Sequence, residues 1–218
     1  MDVPQTGEEP GLAWYRWHQE YDDLSSARVD RLGATQQLLG QALDRAAPGV
    51  VRLVSSCAGQ GRDVLPVLLD HPRGAHAQAR LVELDPLNAG LLRSALGSTA
   101  LAGVEVLEAD AGSSSAYEGA VPADVVLLSG VLDRLGPDEG RRAVLGLPLL
   151  CAAGATVVWA VDDPTGAVAA AAQAWLAEAG FAELDLRRGP SWAAGAALLE
   201  AAPRPWRAGE RWFSALQP

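Results

Sequence analysis

The sequence predicts an α/β protein in which seven strands form one mostly parallel, doubly wound sheet, with an antiparallel hairpin at the C-terminus and a helical cap at the N-terminus. Between residues 50 and 179, short runs of β-favouring residues alternate with segments of helical composition. Two further strand-like runs then follow with only a Gly-Pro-Ser link between them. Such a link is too short for a crossover, so it favours an antiparallel pair.

The N-terminal segment is predicted to begin with a loose tail, residues 1–10, followed by two helices between Leu12 and Ala47. Apolar residues recur there at helical spacing, and the pattern is interrupted near Asp22–Ser26. A Pro-Gly pair directly after Ala47 ends the second helix. We therefore expect residues 1–47 to form a tail and cap, and residues 48–218 to form the main part of one compact domain.

The rest of the chain divides into predicted strands and helices. The strands are Val50–Ser55, Arg80–Leu84, Val104–Glu108, Val121–Leu128, Ala155–Val161, Phe181–Arg187 and Ala194–Ala201. The helices are Asp63–Leu69, Leu87–Leu96, Asp138–Leu150 and Ala167–Ala179. The uncharged stretch from Ala143 to Val161 approaches membrane-spanning length, but glycine and proline interrupt it. We expect a helix end, a turn and a buried strand there.

Composition excludes several classes of function. Hydrophobic residues make up 49% and charged residues 20%, which is typical of a globular protein. A net charge of -10 and the absence of lysine argue against a nucleic-acid partner. The two cysteines, Cys57 and Cys151, form no CxxC pair, so we expect neither a disulfide framework nor a metal site. The acidic start lacks an apolar segment, which predicts a cytoplasmic protein with no membrane partner.

A strand that runs into a glycine turn and then a helix carries the strongest functional signal, Cys57-Ala58-Gly59-Gln60-Gly61. Glycine lets the backbone turn tightly and approach a ligand, and the helix start offers unpaired N–H donors. Glu83 follows about twenty residues later, at the end of the second strand. A carboxylate there can accept hydrogen bonds from the two hydroxyls of a ribose.

The next two strands also end in residues suited to a ligand. Asp110 and Ala111 follow the third strand, and Ser129, Gly130 and Val131 follow the fourth. We expect Asp110 to accept a hydrogen bond from an adenine amino group. Because an open parallel sheet binds its ligand at the carboxyl ends of its strands, all four strand ends should meet at one crevice.

This ordered set of motifs resembles the class I S-adenosylmethionine-dependent methyltransferases, from Val50 onward. The resemblance extends to three later segments, Ala123–Leu132, Leu150–Val157 and Trp175–Phe181. The second of these is similar to the family's loop before its fifth strand. It implies a Rossmann-like fold with the last strand antiparallel between the fifth and sixth. It also implies S-adenosylmethionine as cofactor and O- or N-methylation of a small-molecule acceptor. The implied cofactor-binding residues are Cys57, Ala58, Gly59, Gln60, Gly61, Glu83, Asp110, Ala111, Ser129, Gly130 and Val131.

The sequence departs from the family's pattern at two positions. Ser55 stands where the family often has an acidic residue, and Cys57 stands where it often has glycine. We therefore expect rearranged contacts to the methionine amine. Arg62 is either a partner of the methionine carboxylate or a surface residue at a helix start.

Acceptor-side residues are expected in the cap and after the fourth strand. Trp14, Trp17, His18 and Tyr21 share one broad helix face, which either covers the acceptor or only buries the cap against the sheet. His18, Tyr21 and Asp133 are the predicted catalytic residues, with a solvated loop aspartate as the alternative for Asp133. The Pro/Trp/Arg-rich tail either lines the acceptor pocket, forms a subunit contact or packs onto the body.

Two other functions stay open. One is a non-catalytic cofactor-binding protein of the same fold that acts as a regulatory or assembly partner. The other is an NAD(P)-dependent oxidoreductase, which Val64 at the third glycine position disfavours. The expected oligomeric state is a monomer or a homodimer.

Overall fold

One seven-stranded sheet forms the centre of the protein in a computed structural model that describes residues 10–214 and 216. The strand order is β3-β2-β1-β4-β5-β7-β6, with the strands numbered along the chain. The first five strands pair in parallel, and β7 runs antiparallel to both β5 and β6. This confirms the predicted fold class, including the last strand between the fifth and sixth. The tail predicted for residues 1–10 lies, except for Pro10, outside the described residues.

The elements alternate along the chain as the sequence predicts. The strands are β1 (Val51–Ser56), β2 (Ala77–Glu83), β3 (Val104–Glu108), β4 (Ala123–Ser129), β5 (Cys151–Asp162), β6 (Phe181–Arg188) and β7 (Trp192–Leu199). The helices are α1 (Pro10–Gln19), α2 (Ala27–Arg45), α3 (Leu65–Asp70), α4 (Pro86–Gly97), α5 (Pro137–Gly146) and α6 (Ala167–Glu178). Within the described residues, no helix combines the length and the apolarity needed to cross a membrane.

The structure corrects the prediction around β5. The strand begins at Cys151, four residues before its predicted start. Its pairing with β4 shifts from Ala123–Cys151 to Val125–Thr156, and the extra residues bulge out at Gly154, where φ is +72°. The helix before it, α5, ends at Gly146 because Pro148 has no N–H to continue the helical hydrogen bonds.

Helices cover both faces of the sheet and create two hydrophobic clusters. On one face, Leu38 and Leu39 of α2 pack with Leu53 and Val158, all fully buried. On the other face, Trp159 of β5 belongs to a cluster with residues of α5 and α6. Continuous apolar strands such as β4 fit this arrangement because both of their faces are covered.

The C-terminal segment packs onto the body beside the end of β3. Trp212 and Phe213 are buried, and the backbone N–H of Trp212 donates to the carbonyl of Gly112 at 2.9 Å. Arg211 forms an ion pair of 2.7 Å with Asp110. The tail therefore packs onto the body, and two of its residues, Phe213 and Leu216, also line the cleft described below.

Gly112 provides a test of this packing. A Cβ at Gly112 would lie 2.3 Å from the carbonyl oxygen of Phe213, whereas a Cβ at Gly90, inside α4, would meet nothing within 4 Å. We expect Gly112→Ala to lower the free energy of unfolding by about 1–3 kcal/mol through overpacking. Gly90→Ala should raise it by about 0.5–1 kcal/mol through helix propensity. Urea denaturation of both variants measures this, and equal stabilities would show that the tail is not held at Gly112.

Candidate functional site

A cleft of about 320 Å³ lies at the carboxyl ends of β1 to β4, beneath α1. This is the predicted edge of the sheet, and its volume is in the range of small-molecule sites. The predicted residues on its wall are Trp14, Trp17, His18, Tyr21, Cys57, Ala58, Gly59, Gln60, Glu83, Asp110, Ala111, Ser129 and Gly130. The structure therefore brings together residues that are up to 116 positions apart in the chain, from Trp14 to Gly130.

The glycine turn uses left-handed backbone at three positions. The φ angles are +52° at Cys57, +54° at Gly59 and +69° at Gly61. Cys57 is the only non-glycine residue with positive φ in the described part of the chain, which is a conformation that favours glycine. At Gly59 a Cβ would lie 2.6 Å from the His18 ring, so the imidazole packs directly on the turn.

Glu83 joins this turn to the end of β2. Its side chain is buried on the cleft wall, where Oε2 accepts the N–H of Gly59 at 2.6 Å and Oε1 accepts the N–H of Asp85 at 2.8 Å. Burial raises the pKa of Glu83, and these backbone hydrogen bonds oppose that shift. The carboxylate holds the turn, and each oxygen keeps a further lone pair that can accept from a ligand.

Asp110 lies on the wall beyond β3 and also has partners within the protein. Its Oδ1 accepts the N–H of Gly112 at 2.8 Å, and its Oδ2 pairs with Arg211 at 2.7 Å. Phe213 and Leu216, from the segment that carries Arg211, also line the cleft. Sequence reasoning left the tail's place open, because no local pattern shows which surface it covers.

The aromatic face of α1 forms the roof of the cleft. Trp17 meets Trp14, His18 and Tyr21 edge-to-face, with ring centroids 6.1, 4.9 and 5.6 Å away. Arg134 lies 5.0 Å from the centroids of both tryptophans, at cation–π distance. The roof is therefore aromatic, with a cation packed against its two tryptophans.

His18 is neutral in this environment. Burial lowers its pKa to about 4, and the positive charges of Arg62, Arg28, Arg134 and Arg31 add to the effect. Its Nδ1 is buried and has no hydrogen-bond partner in the described structure. A neutral imidazole on the cleft wall has one nitrogen that can accept a proton.

Tyr21 is oriented by a buried arginine that sequence reasoning missed. Arg31 is 1% exposed; its Nη2 donates to the Tyr21 hydroxyl at 2.7 Å, and its Nη1 lies 2.8 Å from Asp162. Burial raises the pKa of Tyr21, so the phenol keeps its proton at neutral pH. Because its oxygen accepts from Arg31, the hydroxyl can donate that proton into the cleft. An arginine on a helix gives no signal in sequence that it will be buried.

Three predicted site residues do not line the cleft. Gly61 faces the core, where a Cβ would lie 2.4 Å from Leu92. Val131 is fully buried in the hydrophobic cluster on one face of the sheet. Asp133 lies in the 3-10 turn Leu132–Arg134, with Oδ1 buried and unpartnered within the described residues, and burial raises its pKa. These three residues therefore lie outside the cleft wall, and their contact with a ligand stays a prediction.

Asp63 is on the wall, although the sequence predicted it as the start of a helix. The helix α3 begins two residues later, at Leu65, and this leaves Asp63 in the turn. Burial raises its pKa to about 6, against hydrogen bonds from the backbone and from Ser129. Asn88, on α4, was also missed, because its place on the wall depends on how α4 packs.

A scan against protein-family models finds no match, and a search of curated proteins finds none either. Solved structures do match. Magnesium protoporphyrin IX methyltransferase (ChlM) from Synechocystis PCC 6803, with bound S-adenosylmethionine, is 13% identical over 87% of this chain and 92% of that chain, with a TM-score of 0.67. N-methyltransferase NodS from Bradyrhizobium japonicum WM9, with S-adenosylhomocysteine, is 15% identical over 89% of this chain and 100% of that chain, with a TM-score of 0.63.

The [4+2]-cyclase SpnF is also similar, at 16% identity over 79% of this chain and 81% of that chain, with a TM-score of 0.58. The chain shares the fold of these proteins. At such low identities the likeness concerns the fold alone, and a single fold hosts different reactions.

The low pKa of His18 predicts how stability depends on pH. The folded pKa of about 4 is below the ordinary value of 6.5, so the unfolded chain takes up a proton between these pH values and stability falls as pH falls. Relative to His18→Gln, the wild type should lose about 2 kcal/mol of unfolding free energy between pH 7 and pH 5. Urea denaturation at both pH values measures it.

The raised pKa of Asp63 also makes stability depend on pH in this range. Because the wild type and His18→Gln both contain Asp63, its contribution cancels from the difference between them. His76→Gln, at an exposed histidine, is the matched control and should follow the wild type. A pH-independent difference between wild type and His18→Gln would contradict a neutral, buried His18.

Proposed function

We propose that the protein is an S-adenosylmethionine-dependent methyltransferase that acts on a small-molecule acceptor. The observation that carries this proposal is the buried Glu83 carboxylate on the cleft wall, held 2.6 Å from the N–H of Gly59. It provides a hydrogen-bond acceptor for sugar hydroxyls beside a turn that a ligand can approach closely. The fold, shared with ChlM and NodS, supports the same proposal as an analogy.

The cleft residues fit an adenosyl ligand. At Gly59 the close approach of His18 leaves no room for a side chain, so the turn presents bare backbone. Glu83 would bind the ribose. Ala111, Leu84 and Phe213 provide apolar wall beside Asp110, where the adenine would lie. When bound, S-adenosylmethionine supplies an electrophilic methyl group on a sulfonium sulfur.

The roof and the end of β4 are suited to the acceptor. Trp14 and Trp17 would cover it and exclude water, and the main task of the protein is then to align the acceptor atom with the methyl group. Neutral His18 would accept a proton from a hydroxyl or amine, and Tyr21 would orient the acceptor by donating a hydrogen bond. Either an oxygen or a nitrogen acceptor is compatible with these groups.

The wider setting belongs to the same proposal. Residues 1–47 would serve as the tail and cap of the domain formed by 48–218, in a cytoplasmic monomer or homodimer without a nucleic-acid partner. A non-catalytic, cofactor-binding role is the second candidate, and the departures from the family's pattern at Ser55 and Cys57 favour keeping it. A nicotinamide enzyme fits less well, because its usual strand order 3-2-1-4-5-6 lacks the inserted antiparallel strand.

Glu83→Ala tests the cofactor site. Loss of two charge-assisted hydrogen bonds to the ribose should weaken S-adenosylhomocysteine binding by at least about tenfold, as measured by calorimetry. The control is Glu105→Ala, on the exposed side of β3, which should leave binding unchanged. Circular dichroism checks that both variants fold, and an unchanged affinity in Glu83→Ala would remove Glu83 from the site.

Turnover distinguishes the two candidate roles. Incubation with S-adenosylmethionine and a panel of phenols, carboxylic acids and amines should release S-adenosylhomocysteine with at least one of them. Binding of S-adenosylmethionine without release on any acceptor would favour the non-catalytic role.

A further inference from the structure

Four carboxylates line the cleft, and Asp63 stands apart from the other three by position. Glu83 and Asp85 follow β2, and Asp110 follows β3. Asp63 follows the glycine turn and accepts from the hydroxyl of Ser129, which ends β4. Because the strand order is β3-β2-β1-β4, Glu83 and Ser129 lie on opposite sides of β1, and Asp63 is on the side of Ser129.

The other three carboxylates already have structural tasks. Glu83 holds two backbone N–H groups, Asp85 caps α4 by accepting the N–H of Asn88 at 2.8 Å, and Asp110 pairs with Arg211. The contacts of Glu83 with Gly59 and of Asp110 with Arg211 join separate parts of the fold, and Asp85 caps the helix that it precedes. The hydrogen-bond donors beside Asp63 are uncharged: the Ser129 hydroxyl and backbone N–H groups of its own turn.

Asp63 has no ion-pair partner within 4 Å in the part of the chain that the structure describes. The nearby arginines are used elsewhere: Arg62 pairs with Asp22 at 2.9 Å, and Arg31 pairs with Asp162 at 2.8 Å. The Arg31 charge does act on Asp63 from a distance, but burial is the larger effect and raises the pKa of Asp63 to about 6. Because no ion pair offsets the charge of this carboxylate within the described residues, a positively charged group of a ligand in the cleft would be stabilised beside it.

We propose that Asp63 binds the α-ammonium group of the amino-acid portion of S-adenosylmethionine. This inference rests on the proposed function, because a sugar held by Glu83 directs the rest of the ligand past the glycine turn toward β4. Ser55, which stands where the resembled family often has an acidic residue, is 1% exposed and is not on the cleft wall. Asp63 thus provides, from the other side of the turn, the negative charge that the strand lacks.

Two ligands that differ in the amino-acid portion test the assignment. S-adenosylhomocysteine carries the ammonium group, and 5′-methylthioadenosine lacks the whole amino-acid portion. Asp63→Asn keeps the size of the side chain and an oxygen for Ser129 but removes the charge. At pH 8, calorimetry should show that Asp63→Asn binds S-adenosylhomocysteine at least about tenfold more weakly than the wild type does. Its affinity for 5′-methylthioadenosine should differ from that of the wild type by less than about twofold.

The matched control is Asp85→Asn, which removes one negative charge from the same wall while asparagine preserves the helix cap. The ratio of its two affinities should equal that of the wild type. Retained binding of 5′-methylthioadenosine by Asp63→Asn shows that the variant is folded.

Three results for the variants would overturn the assignment: an equal loss for both ligands in Asp63→Asn, no loss in that variant, and the same selective loss in Asp85→Asn. If the wild type binds neither ligand, the proposed function fails together with the assignment. Binding of both ligands by the wild type without selectivity in Asp63→Asn removes only the role of Asp63.

Discussion

The hydrogen bond from the Gly59 N–H to the Glu83 carboxylate, 2.6 Å long, joins the turn after β1 to the end of β2. Parallel pairing of the two strands, with Ser56 beside Val82, brings these groups to the same edge of the sheet. A buried carboxylate is tolerated only when it is hydrogen-bonded, and two backbone N–H groups meet that need. The rest of the cleft is arranged around this contact, since it sets both the shape of the turn and the place of the carboxylate that we propose binds the ribose.

The position of the cap depends on the same turn. His18 packs where a side chain at residue 59 would be, so the absence of a Cβ there allows α1 to close over the cleft. Below the roof, Arg31 links Tyr21 to Asp162 at the end of β5. An ion pair with one buried partner contributes little net stability, but it restricts geometry. In the proposed enzyme, that restriction would keep the phenol aimed into the cleft.

The opposite end of the cleft is closed by the C-terminal segment. Arg211 neutralises Asp110, and Phe213 becomes part of the wall. An adenine amino group would therefore meet a carboxylate that is already paired, and Arg211 would help to hold it in place. The cleft thus has a paired carboxylate at one end and an unpaired one, Asp63, at the other, and this asymmetry gives an adenosyl amino acid a preferred direction.

The alternation of strands and helices, the C-terminal hairpin, the glycine turn and Glu83 could all be predicted from sequence, because periodicity, glycine spacing and strand ends are local properties. Only the tertiary structure decided which side chains face the cleft. It placed Asp63, Arg31 and Phe213 in or beside the site and kept Asp133 out of the wall. The direction of a side chain after a turn depends on where the helix begins and on what packs against it, and both are set by contacts between residues far apart in the chain.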